Sequence, residues 1–397
     1  MGLSLYIRNN LKNKFFQIII LILIVSLVRN PAQGIESARN GLNLWFNILL
    51  PTLLPFFILS ELFIASGLVS YFGRLLGPIM KPVFGISGEG AFPLIMSFVS
   101  GYPVGAKLSS RLRSLKLISR AEGDRLVTLA STSGPLYILG AVSIGMLSIN
   151  YLNGLFLIPH YLGAITVGLI FSLLIRDKST NGKIKQPPSL VLPEAKNKSL
   201  PIIIADSVKD GINSILLIGG FVIIYNVIID ILLNSPVFKA VIVLLSKTLK
   251  QDPRLIEGIF AGFIELTTGC SKIAALDIEL IYRILAINFI LGWGGLSIIS
   301  QAISFISQTD INIKLYLISK FLHAIIASLY TYILYILHYK DIIIPSSIGG
   351  KIRQGVFSFK YWLENIYFSS KMAMLICIFF IILSLLTYNI SLAKIKK

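Results

Sequence analysis

Apolar runs that approach the length of a bilayer crossing, about 20 residues, recur along this chain from Phe15–Val28 to Met372–Leu386. No other feature restricts the fold as much. In hydrocarbon every backbone N–H and C=O needs a partner inside the protein, so such runs form helices. Only 14% of the 397 residues are charged and the mean hydropathy is +0.81, against about 25% charged in a soluble domain. The pattern predicts an all-α polytopic membrane protein with about eight spanning helices: Phe15–Val28, Leu44–Ser66, Arg125–Ile149, Tyr151–Ile175, Asp206–Leu233, Tyr282–Ile306, Leu315–Leu337 and Met372–Leu386. Two further segments, Glu89–Arg113 and Glu257–Ala275, are too polar and too interrupted to be plain spans and read as re-entrant, broken-helix hairpins.

The break in the first hairpin is Ser100-Gly101-Tyr102-Pro103. Pro103 lacks an amide donor and disfavours the α region at Tyr102, and Gly101 accepts backbone angles closed to other residues. Open backbone at membrane depth survives only against protein or a water-lined cavity, and secondary transporters place their substrate sites at such breaks. The alternative is an interfacial hairpin that only supports packing.

The net charge of +18 comes from 36 Lys and Arg against 18 Asp and Glu. These cations gather in loops between apolar runs, as topology determinants and anionic lipid headgroups require. No zinc spacing or helix-turn-helix context accompanies them, so the expected partner is membrane lipid and not nucleic acid. Cys270 and Cys377 imply neither a disulfide framework nor a metal site. Arg8, Lys12 and Lys14 before Phe15–Val28 resemble a signal peptide, but no small-residue cleavage site follows at Asn30-Pro31, so an uncleaved first helix is expected.

The chain divides into an N-terminal membrane helix (1-36), a first repeat (37-175), a cytoplasmic linker (176-200), a second repeat (201-340), a loop (341-370) and a C-terminal membrane helix with a basic tail (371-397). The repeat rests on ordered matches. Ser37–Asn43 falls on Ser207–Asn213 at an offset of 170, and Glu89-Gly90-x-Phe92 falls on Glu257-Gly258-x-Phe260 at 168. Gly134-Pro135-Leu136 falls on Gly294-Gly295-Leu296 at 160. With the N-terminus inside, the first repeat begins outside and the second inside, which makes the two an inverted pair. Lys239, Lys247, Lys250, Lys351 and Arg353 fall outside in that arrangement, against the positive-inside bias.

Three sets of residues are candidates for chemistry. The paired breaks Ser100-Gly101-Tyr102 with Lys107 and Thr267-Thr268-Gly269 with Lys272 place small hydroxylated residues and glycine before a lysine. Free amides at half-helix ends together with a lysine suit a carboxylate or phosphate. The same residues also permit close helix packing, and lysines snorkel. Ser131, Thr132, Ser133 and Gly134, set against Trp293, Gly294 and Gln301, offer neutral hydrogen bonds in an apolar wall. Trp293 stacks on a planar ring or anchors at the interface. Glu265 and Glu61 are carboxyls within apolar runs and candidate proton or ion carriers; the alternative for Glu265 is a fixed partner of Lys272 or Lys107, and for Glu61 a place at the headgroup level. The three histidines are scattered, and no HExxH, GxSxG or Walker-type run is present, so neither an enzyme nor a chain-encoded ATP motor is expected. No cofactor is implied.

NLWFNILLPTLLPFFILSELFIASG, SGYPVGAKLSSRLR, STSGPLYILGAV, FIELTTGCSKI and GWGGLSIISQ together resemble the sporulation integral membrane proteins of the YlbJ type, over roughly Ser37–Ser307. That family is built from two nucleoside-recognition, or Gate, domains and occurs in endospore-forming bacteria. The resemblance implies nucleoside-transporter-like broken helices. It also implies a role in spore formation, with movement of dipicolinic acid across the outer forespore membrane as the proposed activity. Dipicolinate, a planar aromatic dicarboxylate, would need cationic or helix-terminal clamps and a flat wall, which Lys107, Lys272 and Tyr102 or Trp293 can supply. A nucleoside carrier and a non-transporting scaffold of spore-envelope assembly remain open beside it, as do a homo-oligomer and sporulation membrane partners.

Overall fold

The computed structural model describes residues 17–149 apart from residue 19, 152–175 and 199–339. The start of Phe15–Val28, nearly all of Arg176–Leu200, the loop 341-370, Cys377, the last apolar run and the basic tail lie outside the described residues. Regular structure among those described is helical throughout. In order, α1 is Ile20–Arg29, α2 Pro31–Leu44, α3 Leu50–Ala65, α4 Leu68–Phe84, α5 Ala91–Ser100, α6 Val104–Ser114, α7 Arg120–Leu129 and α8 Asn153–Leu174. The second half has α9 Leu200–Asn234, α10 Pro236–Leu249, α11 Pro253–Ile264, α12 Leu266–Ala274, α13 Leu280–Trp293, α14 Gly295–Ile306 and α15 Ile313–Leu334. Three π-helical pieces, Trp45–Leu49, Leu136–Met146 and Tyr335–Tyr339, join α2 to α3, follow α7 and follow α15.

Local sequence explains the boundaries. Pro31 opens α2 where a missing N–H costs nothing. Gly67 and Gly85, at φ 77° and 62°, bracket α4. Ser119 and Glu122 form a reciprocal capping box on α7, with Glu122 N–H on Ser119 Oγ at 3.2 Å and Ser119 N–H on Glu122 Oε2 at 2.7 Å.

The eight expected spans are not all found among the described residues. Four helical stretches there are long and apolar enough to cross a bilayer: Asn153–Leu174, Leu200–Asn234, Leu280–Ile306 and Ile313–Tyr339. A fifth is possible if Arg74–Phe84 and Gly88–Ser100, bent by 93°, form one broken crossing. Of the eight runs expected, Met372–Leu386 and the start of Phe15–Val28 lie outside the described residues, Leu44–Ser66 runs on helically through the π-helical turn Trp45–Leu49, and Arg125–Ile149 is interrupted at Ser131–Gly134. Leu53–Ala65 and Tyr137–Met146 are shorter apolar helices.

The two halves interlock. α2 and α3 pack on α9, where Trp45 Nε1 donates to Ile215 O at 2.8 Å. Gly219 makes room for that indole, since a Cβ there would lie 2.7 Å from its ring. α8 packs on α15, α13 and α7, and α14 packs on α6 and α9. Buried Asn288 on α13 ties three of these together by donating to Leu155 O and Thr331 Oγ1 at 2.8 and 2.9 Å.

At one end, Arg113 at the end of α6 grips Asp310 in the α14–α15 loop through Nε and Nη2, at 2.7 and 2.8 Å. Asp124 accepts the Asn312 N–H beside it at 2.7 Å. The Arg113 guanidinium holds the Asp310 carboxyl below the usual aspartate range. A depressed acid contributes stability above its unfolded pKa, about 4, and loses it as pH falls through the folded value. Asp310 is about half exposed, so Arg113→Ala is expected to cost no more than about 1 kcal/mol. Melting curves of wild type and Arg113→Ala in detergent should differ slightly at neutral pH and converge as pH drops below about 4.

Candidate functional site

Four interruptions in the helices meet at one place. The first separates α5 from α6 at Gly101, with φ 84° and ψ −161°, followed by a cis Tyr102-Pro103 peptide. The second is the non-helical run at Ser131–Gly134 after α7. They touch: a Cβ on Gly101 would lie 3.0 Å from Gly134 Cα, and one on Gly134 would lie 3.0 Å from the Ser100 carbonyl. The third break is Glu265, extended at φ −139° between α11 and α12, and the fourth is Gly294-Gly295 between α13 and α14. These touch as well, since a Cβ on Gly295 would lie 3.0 Å from Leu266 N and 3.2 Å from Ile264 O.

Contacts between the two pairs complete a junction. Tyr102 Oη from the first break donates to Leu291 O at 2.8 Å, and the Tyr102 ring lies where a Cβ on Gly294 would meet it at 3.7 Å. In the opposite sense, Tyr137 Oη, just past the second break, donates to Thr267 Oγ1, just past the third, at 3.2 Å.

Helices α5, α8 and α15 supply the side chains that hold the open backbone of the second break. Ser133 N–H donates to His160 Nε2 at 2.9 Å, and Ser133 O accepts from Tyr161 Oη at 3.0 Å. Thr132 N–H donates to Ser97 Oγ at 3.2 Å, while Thr132 Oγ1 donates to Ser97 O at 3.0 Å. Ser131 O accepts from the Lys320 ammonium at 2.9 Å. Unpaired backbone groups inside a protein cost free energy, and these side chains remove that cost at the kink.

Lys320 is 1% exposed. Besides Ser131 O, its Nζ donates to Tyr102 Oη at 2.7 Å and lies 4.4 Å from the centre of the Tyr102 ring. His323, one turn along α15, donates Nε2–H to His160 O at 2.8 Å, and the two imidazoles are 4.7 Å apart. Since His160 Nε2 accepts from Ser133, the proton of the neutral ring sits on Nδ1, and that buried atom has no hydrogen-bond partner.

The residues expected to carry chemistry separate into two groups. Gly101, Tyr102, Ser131, Thr132, Ser133, Gly134 and Gly294 lie at the junction, and Ser100 abuts it with its hydroxyl unpartnered. Thr267 and Thr268 lie at its edge, where their N–H groups donate to the two Glu265 oxygens at 3.0 and 2.7 Å. Glu265 is therefore the N-cap of α12 and not a partner of Lys272 or Lys107. The second hairpin bends at Glu265 and not at Gly269, which lies inside α12 against Gly262.

Lys107 and Lys272 are not brought together. Each has its own acid: Lys107 pairs with Glu61 at 3.1 Å, with Arg111 3.6 Å from the same carboxylate, and Lys272 pairs with Glu257 at 2.7 Å. Trp293 donates Nε1–H to Phe263 O at 3.0 Å and packs on Phe263 and Phe321. Gln301 Nε2 reaches Ser297 Oγ on its own helix at 3.4 Å.

Lys320, His160, His323, Tyr161 and Ser97 were not singled out from the sequence. Lys320 lies near the start of an apolar run, where a lysine reads as an interfacial anchor. The histidines are 163 positions apart and meet only across α8 and α15. One signal was present: at the offset of 160 that relates Gly134 to Gly294, His160 corresponds to Lys320.

Comparison with known proteins places this architecture. A sequence model of the Gate family, described as nucleoside recognition, matches residues 46–152. The sporulation integral membrane protein YlbJ of Bacillus subtilis (strain 168) is 33% identical over 332 residues, spanning 79% of this chain and 81% of the relative. The chain belongs to the YlbJ family of integral membrane proteins. No solved structure matches it. The Gate match includes the first two breaks of the junction.

Proposed function

We propose that this protein is a membrane carrier for a small anionic metabolite during endospore formation, with dipicolinate moving across the outer forespore membrane as its substrate. The observation that supports this reading is the junction itself, in which four helix interruptions converge among apolar helices. Discontinuous helices carry open backbone donors and acceptors, which membranes tolerate only against protein or a water-lined cavity, and carriers place their substrate sites at such breaks.

The packing also favours an inverted pair of repeats. Gly41 on α2 faces Val222 and Ile223 on α9, and its repeat counterpart Gly211 on α9 faces Leu54 and Ile58 on α3. Reciprocal contact of this kind is what a two-fold relation between like units produces. Movement of one repeat against the other would open the junction alternately to either side.

The test is flux into proteoliposomes that hold the purified full chain. Dipicolinate uptake that is saturable and competed by related pyridine carboxylates supports the reading. Uptake of uridine in place of dipicolinate favours the nucleoside carrier, for which the Gate description speaks. Flux of neither leaves the scaffold of spore-envelope assembly.

A further inference from the structure

We propose that Lys320 binds the substrate's carboxylate, and that the carboxylate replaces Tyr102 Oη and Ser131 O as acceptors of its ammonium protons. The proposal rests on the carrier reading and adds which residue meets the charge and what class of group it takes.

Other cations of the protein have partners that Lys320 lacks. Lys107, Arg113, Lys272 and Arg254 each pair with a carboxylate. Arg125, 8% exposed, pairs with no acid among the described residues, but it donates to Gly85 O and Ile175 O, the carbonyls that end α4 and α8. Two helix C-termini face that guanidinium with partial negative charge. Lys320 is more deeply buried and has less. Among the described residues no Asp or Glu pairs with it. Its three N–H bonds have two neutral acceptors, one phenol oxygen and one carbonyl. Charging the amine in such surroundings carries a large desolvation cost, which a bound carboxylate offsets with shorter, charge-assisted bonds.

The surroundings fit a flat anion. The Tyr102 ring lies under the ammonium. The start of α14, which has no side-chain cap, adjoins it, with a Cβ on Gly294 3.7 Å from Lys320 Cε. Helix N-terminal amides and a lysine act on the same side of the charge balance. The break that Lys320 supports through Ser131 is also the segment that must move if the junction opens, so exchanging Ser131 O for a ligand oxygen would loosen the kink as substrate arrives.

The experiment measures the shift in melting temperature on adding dipicolinate, picolinate or uridine to the detergent-purified full chain, alongside proteoliposome flux. Variants are Lys320→Met, Lys320→Arg and Tyr102→Phe. Wild type is expected to shift with dipicolinate. Lys320→Met should bind it about 30-fold more weakly or worse, the loss of one charge-assisted hydrogen bond, and Lys320→Arg should bind within about tenfold of wild type on the same scale. Tyr102→Phe removes a competing acceptor and should bind dipicolinate as tightly as wild type or more tightly.

If Lys320 serves only to hold the kink, Lys320→Met and Tyr102→Phe lower the ligand-free melting temperature while the dipicolinate shift is unchanged, and the proposal is overturned. If Lys320→Met does not fold, Lys320→Arg and Tyr102→Phe decide: weakened binding in both overturns it. Wild-type flux of dipicolinate that Lys320→Met retains in full removes Lys320 and leaves the carrier. Absence of dipicolinate flux and shift in wild type removes both.

Discussion

Gly101→Ala is expected to abolish recovery of folded protein, or to lower its melting temperature by more than any other single-methyl addition at the junction. Two costs add. At φ 84° and ψ −161° the backbone is in a region essentially reserved for glycine, worth roughly 1–3 kcal/mol of strain for any other residue. The new Cβ would also overlap the backbone of Gly134, with Gly134 Cα at 3.0 Å and Ser133 C at 3.2 Å. A flexible side chain can move aside, but a second backbone held by His160, Tyr161 and Lys320 cannot without breaking those bonds. The check is yield of monodisperse protein and melting temperature in detergent. Gly220→Ala is the control: nothing lies within 4 Å of its added Cβ, and in mid-helix the change should be neutral or stabilising by up to about 1 kcal/mol. A Gly101→Ala protein that melts with wild type would mean the first two breaks do not touch.

The second large effect concerns Glu61. Its carboxylate, 6% exposed, lies 3.1 Å from Lys107 Nζ and 3.6 Å from Arg111 Nε, with the ammonium also 4.6 Å from the Phe57 ring centre. Neither nitrogen has an acceptor in good hydrogen-bonding alignment, so proximity of charge and not directed bonding holds the cluster. Glu61→Gln leaves two cations facing each other with no counter-charge and is expected to cost about 3–5 kcal/mol. The double variant Glu61→Gln, Lys107→Met removes the stranded ammonium and should recover much of that loss. A double-mutant cycle on denaturant or thermal melts reads the coupling. Lys272→Met is the contrast. The Lys272–Glu257 pair is more than a third exposed on both sides, and its loss should cost under about 1 kcal/mol. Two lysines that look equivalent in sequence thus differ several-fold because one pair is enclosed between α3 and α6 and the other is open to solvent. Additive losses in the Glu61 and Lys107 cycle would show that the enclosed pair is not coupled.

How much was legible in the sequence follows from range. Gly101 followed by proline marked a helix break because its cause is local: a missing amide, a steric clash and a permissive glycine. The run Ser131–Pro135 and the pair Gly294-Gly295 carry signals of the same local kind, and each is a break. Glu265 is also local, yet its partners were not legible. A carboxyl in an apolar run suggests a charge partner, whereas here it caps the two amides that begin the next helix. Its own position at the bend was hidden by the more conspicuous Gly269, which serves only to let α12 approach α11.

The residues themselves determined that the chain is helical, built for a membrane and interrupted at fixed positions, because apolar run length and backbone permission are properties of short stretches. They determined the family as well, through motifs in a fixed order. Only tertiary structure decided which interruptions meet, that Lys107 and Lys272 are each occupied by an acid, and that Lys320 lies at the junction. The place of Lys320 depends on contacts between residues 189 and 218 positions apart, and distance along the chain carries no record of which helix faces will be pressed together.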